Sequence, residues 1–185
     1  MKEVLSNILD GYLFEKSQTF SGNELADLIR RAAPLTIQNK AAISEARYKV
    51  QGGPGQGQWA EIPWITVFDK QITTSAQEGY YIVYLFRSDM SGVYLSLNMG
   101  WTQFENHFKP LDNARKKIRQ TANICKQVLR SSLTDFSYDP IELKTKRVLG
   151  IGYELGHICG KFYPKGNIPD DSILIDDLRN LIGAT

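Results

Sequence analysis

The feature that most constrains this chain is a set of three closely spaced segments at its centre, Trp59 to Phe68, Gly79 to Phe86 and Gly92 to Leu97, each dense in β-branched and aromatic residues. Such side chains suit a pleated, half-buried surface, so a sheet forms the heart of the fold. The connection Arg87-Ser-Asp-Met-Ser-Gly92 is short and rich in turn formers, and the second and third segments are expected to pair as an antiparallel hairpin. Alternation sends Tyr81, Val83 and Leu85 to one face of their strand and Tyr80, Ile82, Tyr84 and Phe86 to the other. One face can serve the core while the other lines a pocket. Trp59, Trp64, Phe68, Tyr94 and Trp101 add to the aromatic density of the same region.

Helical spacing flanks this centre on both sides. Val4, Leu5, Ile8, Leu9 and Leu13 repeat at helical intervals over Val4 to Phe14. A second helix is expected from about Gly22 to Ala33, ending where Pro34 would break it. Ile37 to Arg47 carries no clear period. Leu111 to Leu129 is the strongest helix, with Leu111, Ile118, Ala122, Cys125 and Leu129 within about 60° of one another at ~100° per residue. Phe136 to Val148 reads as irregular or extended, followed by a strand near Gly156 to Tyr163. A closing helix from Asp170 to Ile182 turns Ile173, Leu174, Leu178 and Leu181 inward.

A length of 185 residues with 42% hydrophobic residues suits one globular domain, residues 1–185, and the absence of any apolar run of membrane-spanning length points to the cytoplasm. Two cysteines, Cys125 and Cys159, are expected as free thiols. The net charge of +2 does not by itself announce a nucleic-acid partner. Its distribution is more informative. Arg115, Lys116, Lys117, Arg119, Lys126 and Arg130 lie on one helix, and no acidic residue interrupts them. Arg115, Arg119, Lys126 and Arg130 share a face beside the apolar stripe, which is either a solvated helix surface or a ridge for phosphate contact.

Chemical motifs are sparse. Gly52-Gly-Pro-Gly-Gln-Gly57 lacks the Lys-Ser/Thr pair that must follow a nucleotide phosphate loop, leaving a flexible inter-strand loop or a loop that lets a ligand approach backbone. Glu142-Leu-Lys144 has the Glu-x-Lys form used by some metal-dependent nucleases, with Asp135 or Asp139 as a possible further ligand. His157 and Cys159, with His107 and Cys125 more distant, lack the close pairing of a zinc site. No cofactor is expected.

The segment Gly55-Gln-Gly-Gln-Trp-Ala-Glu-Ile-Pro-Trp-Ile-Thr-Val-Phe68, followed by Gly79-Tyr-Tyr-Ile-Val-Tyr-Leu-Phe86 and Val93-Tyr-Leu-Ser-Leu97, resembles the N-terminal DNA-binding domains of the McrB family, the specificity subunits of modified-cytosine restriction systems. The resemblance rests on the Gly-x-Gly loop, the Ile-Pro-Trp step and the Gly-x-Tyr-x-Val-x-Leu strand, and covers about residues 48 to 100. It implies recognition of 5-methylcytosine or 5-hydroxymethylcytosine by extruding the base from double-stranded DNA into an aromatic pocket. Gln56, Trp64, Tyr81 and Leu85 are the implied pocket residues. Gln56 stands where the well-known member has a tyrosine, which substitutes an amide's hydrogen bonding for a packed ring.

The expected fold is therefore α+β, a curved, mainly antiparallel sheet flanked by helices, with no catalytic site of its own. The expected role is a modified-base reader of a restriction system, excised from the N-terminus of a longer protein and working with a nuclease or motor domain in the same or a partner chain. Arg115, Lys116, Arg119, Lys126 and Arg130 would bind the DNA backbone. The competing expectations are a metal-dependent nuclease built on Glu142 and Lys144, and a protein-interaction domain of a restriction complex.

Overall fold

The computed structural model describes residues 1–185. The chain opens with helix α1 (Lys2–Glu15), whose Leu5, Ile8, Leu9 and Tyr12 are buried at the helical spacing anticipated above. Its first residues are tied to the far end of the chain. The Met1 ammonium and the Lys2 N–H both reach Oδ1 of Asp171, at 2.9 and 2.7 Å, while Lys40 Nζ takes the other carboxylate oxygen.

The next helix does not stop at Pro34. Helix α2 (Glu24–Asp27), capped by the Asn23 side chain, runs through a π-helical turn (Leu28–Ala32) into α3 (Ala33–Lys40). A proline inside an α-helix clashes with the carbonyl four residues back and cannot donate to it. Here the turn just ahead is widened, with the Ala33 N–H donating to Leu28 O five residues back, so the helix passes the proline.

Five strands follow, all antiparallel, in the spatial order β1 (Tyr48–Gly55), β2 (Trp59–Asp69), β3 (Tyr80–Phe86), β4 (Gly92–Met99), β5 (His157–Pro164). The hairpin joining β3 and β4 closes with the Arg87 N–H on Gly92 O, as the turn residues imply. Between β4 and β5 come α4 (Trp101–His107), α5 (Leu111–Leu129) and α6 (Val148–Gly156), and α7 (Asp171–Gly183) ends the chain. The fold is α+β: an open antiparallel sheet flanked by helices.

The register assigns the two faces. Ile65, Val67, Ile82, Tyr84, Phe86, Leu95 and Leu97 join the main core, which also takes in the buried faces of α1, α3, α5 and α7. Ile62, Phe68, Tyr81, Val83 and Leu85 form a smaller core on the opposite face, closed by Ile141, Leu143 and Tyr153. The segment leading to α6 and the helix itself thus cover part of the second face. The rest stays open.

Four readings of the sequence are corrected. Gly52 to Gly55 belong to β1 and pair with β2, so most of the glycine run is strand; only the bend at residues 56–58 is loop. Trp101 sits on a helix, not in the sheet. Residues 149–155, for which no element was expected, together with Val148 and Gly156 from the neighbouring expected segments, form α6. Ile173 is 51% exposed and does not face the core, whereas Leu174, Leu178 and Leu181 do.

Candidate nucleic-acid interface

The glycines of β1 exist because two groups press on them. A β-carbon on Gly52 would lie 1.7 Å from the carbonyl oxygen of Ile29, so the π-helical turn rests on the strand at a distance only glycine permits. A β-carbon on Gly53 would meet Trp64 Cε2 at 2.2 Å and Cζ2 at 2.3 Å. The indole of Trp64 therefore lies over the backbone of its cross-strand neighbour. Pro63, just before it, occupies a point where β2 has left its register with β3 and where the β1 register shifts between Gly53 and Gly55, so its missing N–H breaks no ladder bond.

The turn between β1 and β2 is anchored from below. Tyr12 Oη donates to Ala60 O at 2.7 Å, and Trp59 packs edge-on against Tyr12 and Phe20 while its indole N–H donates to Gln18 O. Gly55 and Gly57 take positive φ values of 130° and 71°, and Gln56 between them is exposed.

Above the open part of the second face is a cavity of about 730 Å³. Its floor is β1 and β2, with Trp64 and Phe68; Arg30 from the π-helical turn and Lys49 from β1 also border it. The β2–β3 loop contributes Thr74 and Gln77, α4 contributes Thr102, and α6 contributes Leu149 and Tyr153. Gln56 and Trp64 line this space. Tyr81 and Leu85 do not. They are 2% and 0% exposed and belong to the small core beside the cavity on the same face of the sheet, covered by Ile141, Leu143 and Tyr153, where Tyr81 packs edge-on against Phe68 and donates its hydroxyl to Ala76 O at 2.9 Å. Burial raises the Tyr81 phenol well above its ordinary pKa and holds it neutral. Phe68 was marked as a sheet aromatic but not as a pocket residue, and Arg30, Lys49, Thr74, Gln77, Thr102 and Tyr153 were not picked out from the sequence; Lys49 could have been found, since it falls on the Trp64 and Phe68 face once β1 is read as a strand.

Arg30 and Lys49 make no ion pair and lie over the rings of Phe20 and Phe68, at 5.6 and 5.9 Å from the centroids. The basic residues of α5 differ among themselves. Arg115 pairs with Asp112 at 3.3 Å, Lys126 donates to Tyr138 O, and Arg130 lies over the Tyr138 ring. Burial and the neighbouring Arg130 both lower the Lys126 pKa. Lys116 and Arg119 are exposed and form no ion pair.

The other candidates are occupied by structural roles. Glu142 and Lys144 pair with each other at 2.8 Å on an exposed loop, and that contact lowers the Glu142 pKa. Asp139 accepts from Ser137 within its own turn. His157 is buried, with Nδ1 2.7 Å from Ser96 Oγ, and burial lowers its pKa to about 3. Cys125 and Cys159 are free thiols. No three His, Cys, Asp or Glu side chains cluster closely enough to hold a metal ion.

No Asp, Glu, His or Cys lines the cavity; its polar groups are amides, hydroxyls and two cations around an aromatic floor. Such a lining can stack on a planar ligand, hydrogen-bond its edge and attract its negative charge, so fold and site define an α+β binding domain. The chain belongs to the MrcB-like N-terminal domain family, whose model matches residues 7–184. That family is a DNA-binding module of McrB-type restriction systems and not a catalytic domain. No curated protein matches the chain. No helix is long and apolar enough to cross a membrane.

Proposed function

We propose that residues 1–185 act as one module that binds double-stranded DNA carrying a modified base, extrudes that base and holds it in the cavity against Trp64. The observation that carries this reading is the combination of a half-buried indole, flattened on Gly53, with a cavity of about 730 Å³ bordered by two unpaired cations. Unpairing costs a few kcal/mol, and stacking on an aromatic ring returns about 1–3 kcal/mol per base. Phosphate contacts supply the remainder. Arg30 and Lys49 serve the nucleotide at the cavity mouth, and the α5 residues Arg115, Lys116, Arg119, Lys126 and Arg130 serve the flanking backbone. Lys116 and Arg119 are the freest of the five.

In this reading Gln56, on the exposed turn, contacts the edge of the base or the gap it leaves. Tyr81 and Leu85 act from the side, in the covered part of the same face, where Tyr81 packs against Phe68. The module is the specificity element of a modification-dependent restriction system in the cytoplasm, and it directs a nuclease or motor domain in the same or a partner chain.

The test is binding to identical duplexes bearing cytosine, 5-methylcytosine, 5-hydroxymethylcytosine or N6-methyladenine at fixed salt, for the parent chain and for Trp64→Ala, with thermal unfolding measured alongside. A preference for a modified cytosine that folded Trp64→Ala loses, with salt-sensitive background binding retained, is the expected result. Equal affinity of the parent for all four duplexes would refute the reading.

A further inference from the structure

A base that leaves the duplex opens a gap between its neighbours. Apolar side chains suit such a gap, because the faces of stacked base pairs are flat and apolar, whereas an amide such as Gln56 would keep unpaired donors and acceptors between them.

The wall of the cavity carries a side chain of that kind. Of the large apolar residues that line it, Phe68 and Tyr153 are buried, Trp64 is half-buried, and Leu149 is 50% exposed. Leu149 stands one helical turn before Tyr153, so the two share a face of α6. Tyr153 closes the small core, and Leu149 continues the same wall outward into solvent.

The segment that carries Leu149 is held firmly on the sheet. Thr145 Oγ1 donates to Glu61 Oε2 of β2 at 2.7 Å, the Leu143 N–H donates to Glu154 Oε1 at 2.6 Å, and Ser88 Oγ of the β3–β4 hairpin donates to Lys144 O. A β-carbon on Gly150 would lie 2.5 Å from Thr145 Cγ2, so the first turn of α6 sits directly on that threonine. Three cations precede the leucine. Lys144 is matched by Glu142, but Lys146 is exposed and makes no ion pair, and Arg147, its side chain 75% exposed, approaches Glu61 only to 4.0 Å. A rigid step with an exposed leucine beside two available cations complements a duplex, which is apolar between its base pairs and anionic along its backbone.

Resting on the modified-base reading, we infer that Leu149 is the wedge that enters the duplex where the base has left it, and that Lys146 and Arg147 hold neighbouring phosphates. Gln56 then serves the edge of the extruded base, not the gap.

The experiment titrates the parent chain, Leu149→Ala, Leu149→Asn, Leu149→Met and Lys146→Ala, with melting temperatures, against duplexes carrying one cytosine, 5-methylcytosine or 5-hydroxymethylcytosine at fixed salt, each with 2-aminopurine beside that position. Leu149→Ala and Leu149→Asn should lower the affinity for the modified duplex that the parent prefers at least fivefold, change unmodified DNA less than twofold, and at saturation give less than half of the parent's rise in 2-aminopurine emission. Leu149→Met, still apolar and of similar size, should stay within twofold of the parent. Lys146→Ala should weaken modified and unmodified DNA about equally and reduce the salt slope by about one. If the parent prefers a modified duplex and folded Leu149→Ala and Leu149→Asn keep that preference and the emission rise within twofold, the wedge is overturned while the reading of the cavity stands; Lys146→Ala with the parent's affinity and salt slope would overturn the phosphate contact. If the parent prefers neither modified duplex, the wedge and the modified-base reading are overturned together.

Discussion

Replacing Gly53 by alanine should misplace Trp64 without dismantling the sheet. The added β-carbon would lie 2.2, 2.3 and 2.7 Å from Cε2, Cζ2 and Cδ2 of the indole. Ordinary contact begins near 3.4 Å, so the ring must retreat by at least 3.4 − 2.2, or about 1.2 Å. A side chain on the open face can make that move, because the cavity side offers room. Overpacking costs about 1–3 kcal/mol, offset by about 0.4–1 kcal/mol from the stiffer unfolded chain. For a chain of this size the melting temperature should fall by at most about 10 °C. Loss of the stacking platform, about 1–3 kcal/mol, should reduce the preference for modified DNA about 5- to 150-fold. The assay is paired titration of modified and unmodified duplexes, with tryptophan emission as a report on the indole. Gly52→Ala is the contrast: its β-carbon strikes backbone, 1.7 Å from Ile29 O, and that variant should be far less stable. A folded Gly53→Ala protein with unchanged emission and unchanged selectivity would refute this account of Trp64.

Other outcomes follow from charge and burial. Arg30→Ala and Lys49→Ala should each weaken modified and unmodified DNA about equally and flatten the salt dependence by a slope of about one, whereas Arg115→Ala, already paired with Asp112, should do less than Arg119→Ala; equal salt slopes in all four variants would contradict this ranking. His157 is neutral when folded, with its pKa lowered to about 3, and takes up a proton once unfolded below about pH 6.5, so it costs stability as pH falls from 6.5 toward 3; the melting temperature of His157→Gln should depend less on pH in that window than that of the parent. Asp171 is held well below the usual carboxylate range by Lys40, the Lys2 N–H and the chain ammonium, so its contribution is present above about pH 4 and lost on acidification; Asp171→Asn should be less stable than the parent at pH 7, and the gap should close in acid.

Much of the fold was legible because its signals were local and periodic. The alternation of β3 assigned Tyr81, Val83 and Leu85 to one face and Ile82, Tyr84 and Phe86 to the other, as the two cores have them. The apolar stripe of α5 fixed that helix to its observed bounds. Helix α6 was illegible for a tertiary reason. Its sequence, Val148-Leu-Gly-Ile-Gly-Tyr-Glu-Leu-Gly156, carries three glycines that disfavour a helix, yet a β-carbon on Gly152 would meet the Trp101 ring at 2.3 Å and one on Gly156 would meet Asn98 Oδ1 at 2.7 Å. Close packing against α4 and β4 outweighs the propensity. Pro34 misled for a related reason, since a π-helical turn leaves no periodic signature.

The candidate site was only half legible. Trp64 and Gln56 line the cavity, but Tyr81 and Leu85 lie beside it, in the covered part of the same face. Alternation tells which face a residue takes; it does not tell which part of that face another segment will cover. Ile141, Leu143 and Tyr153 do the covering, from a stretch with no readable period. Thr74, Gln77, Thr102 and Tyr153, which also line the cavity, come from a loop and two short helices, which meet only through the tertiary fold.

The most direct measurement of the central claim is a crystal structure of the chain on a duplex with one modified cytosine. The account predicts that the modified base has left the helical stack and lies in the cavity against Trp64, with Arg30 and Lys49 near its phosphates. A modified base still paired in the duplex, with the cavity facing solvent, would contradict it.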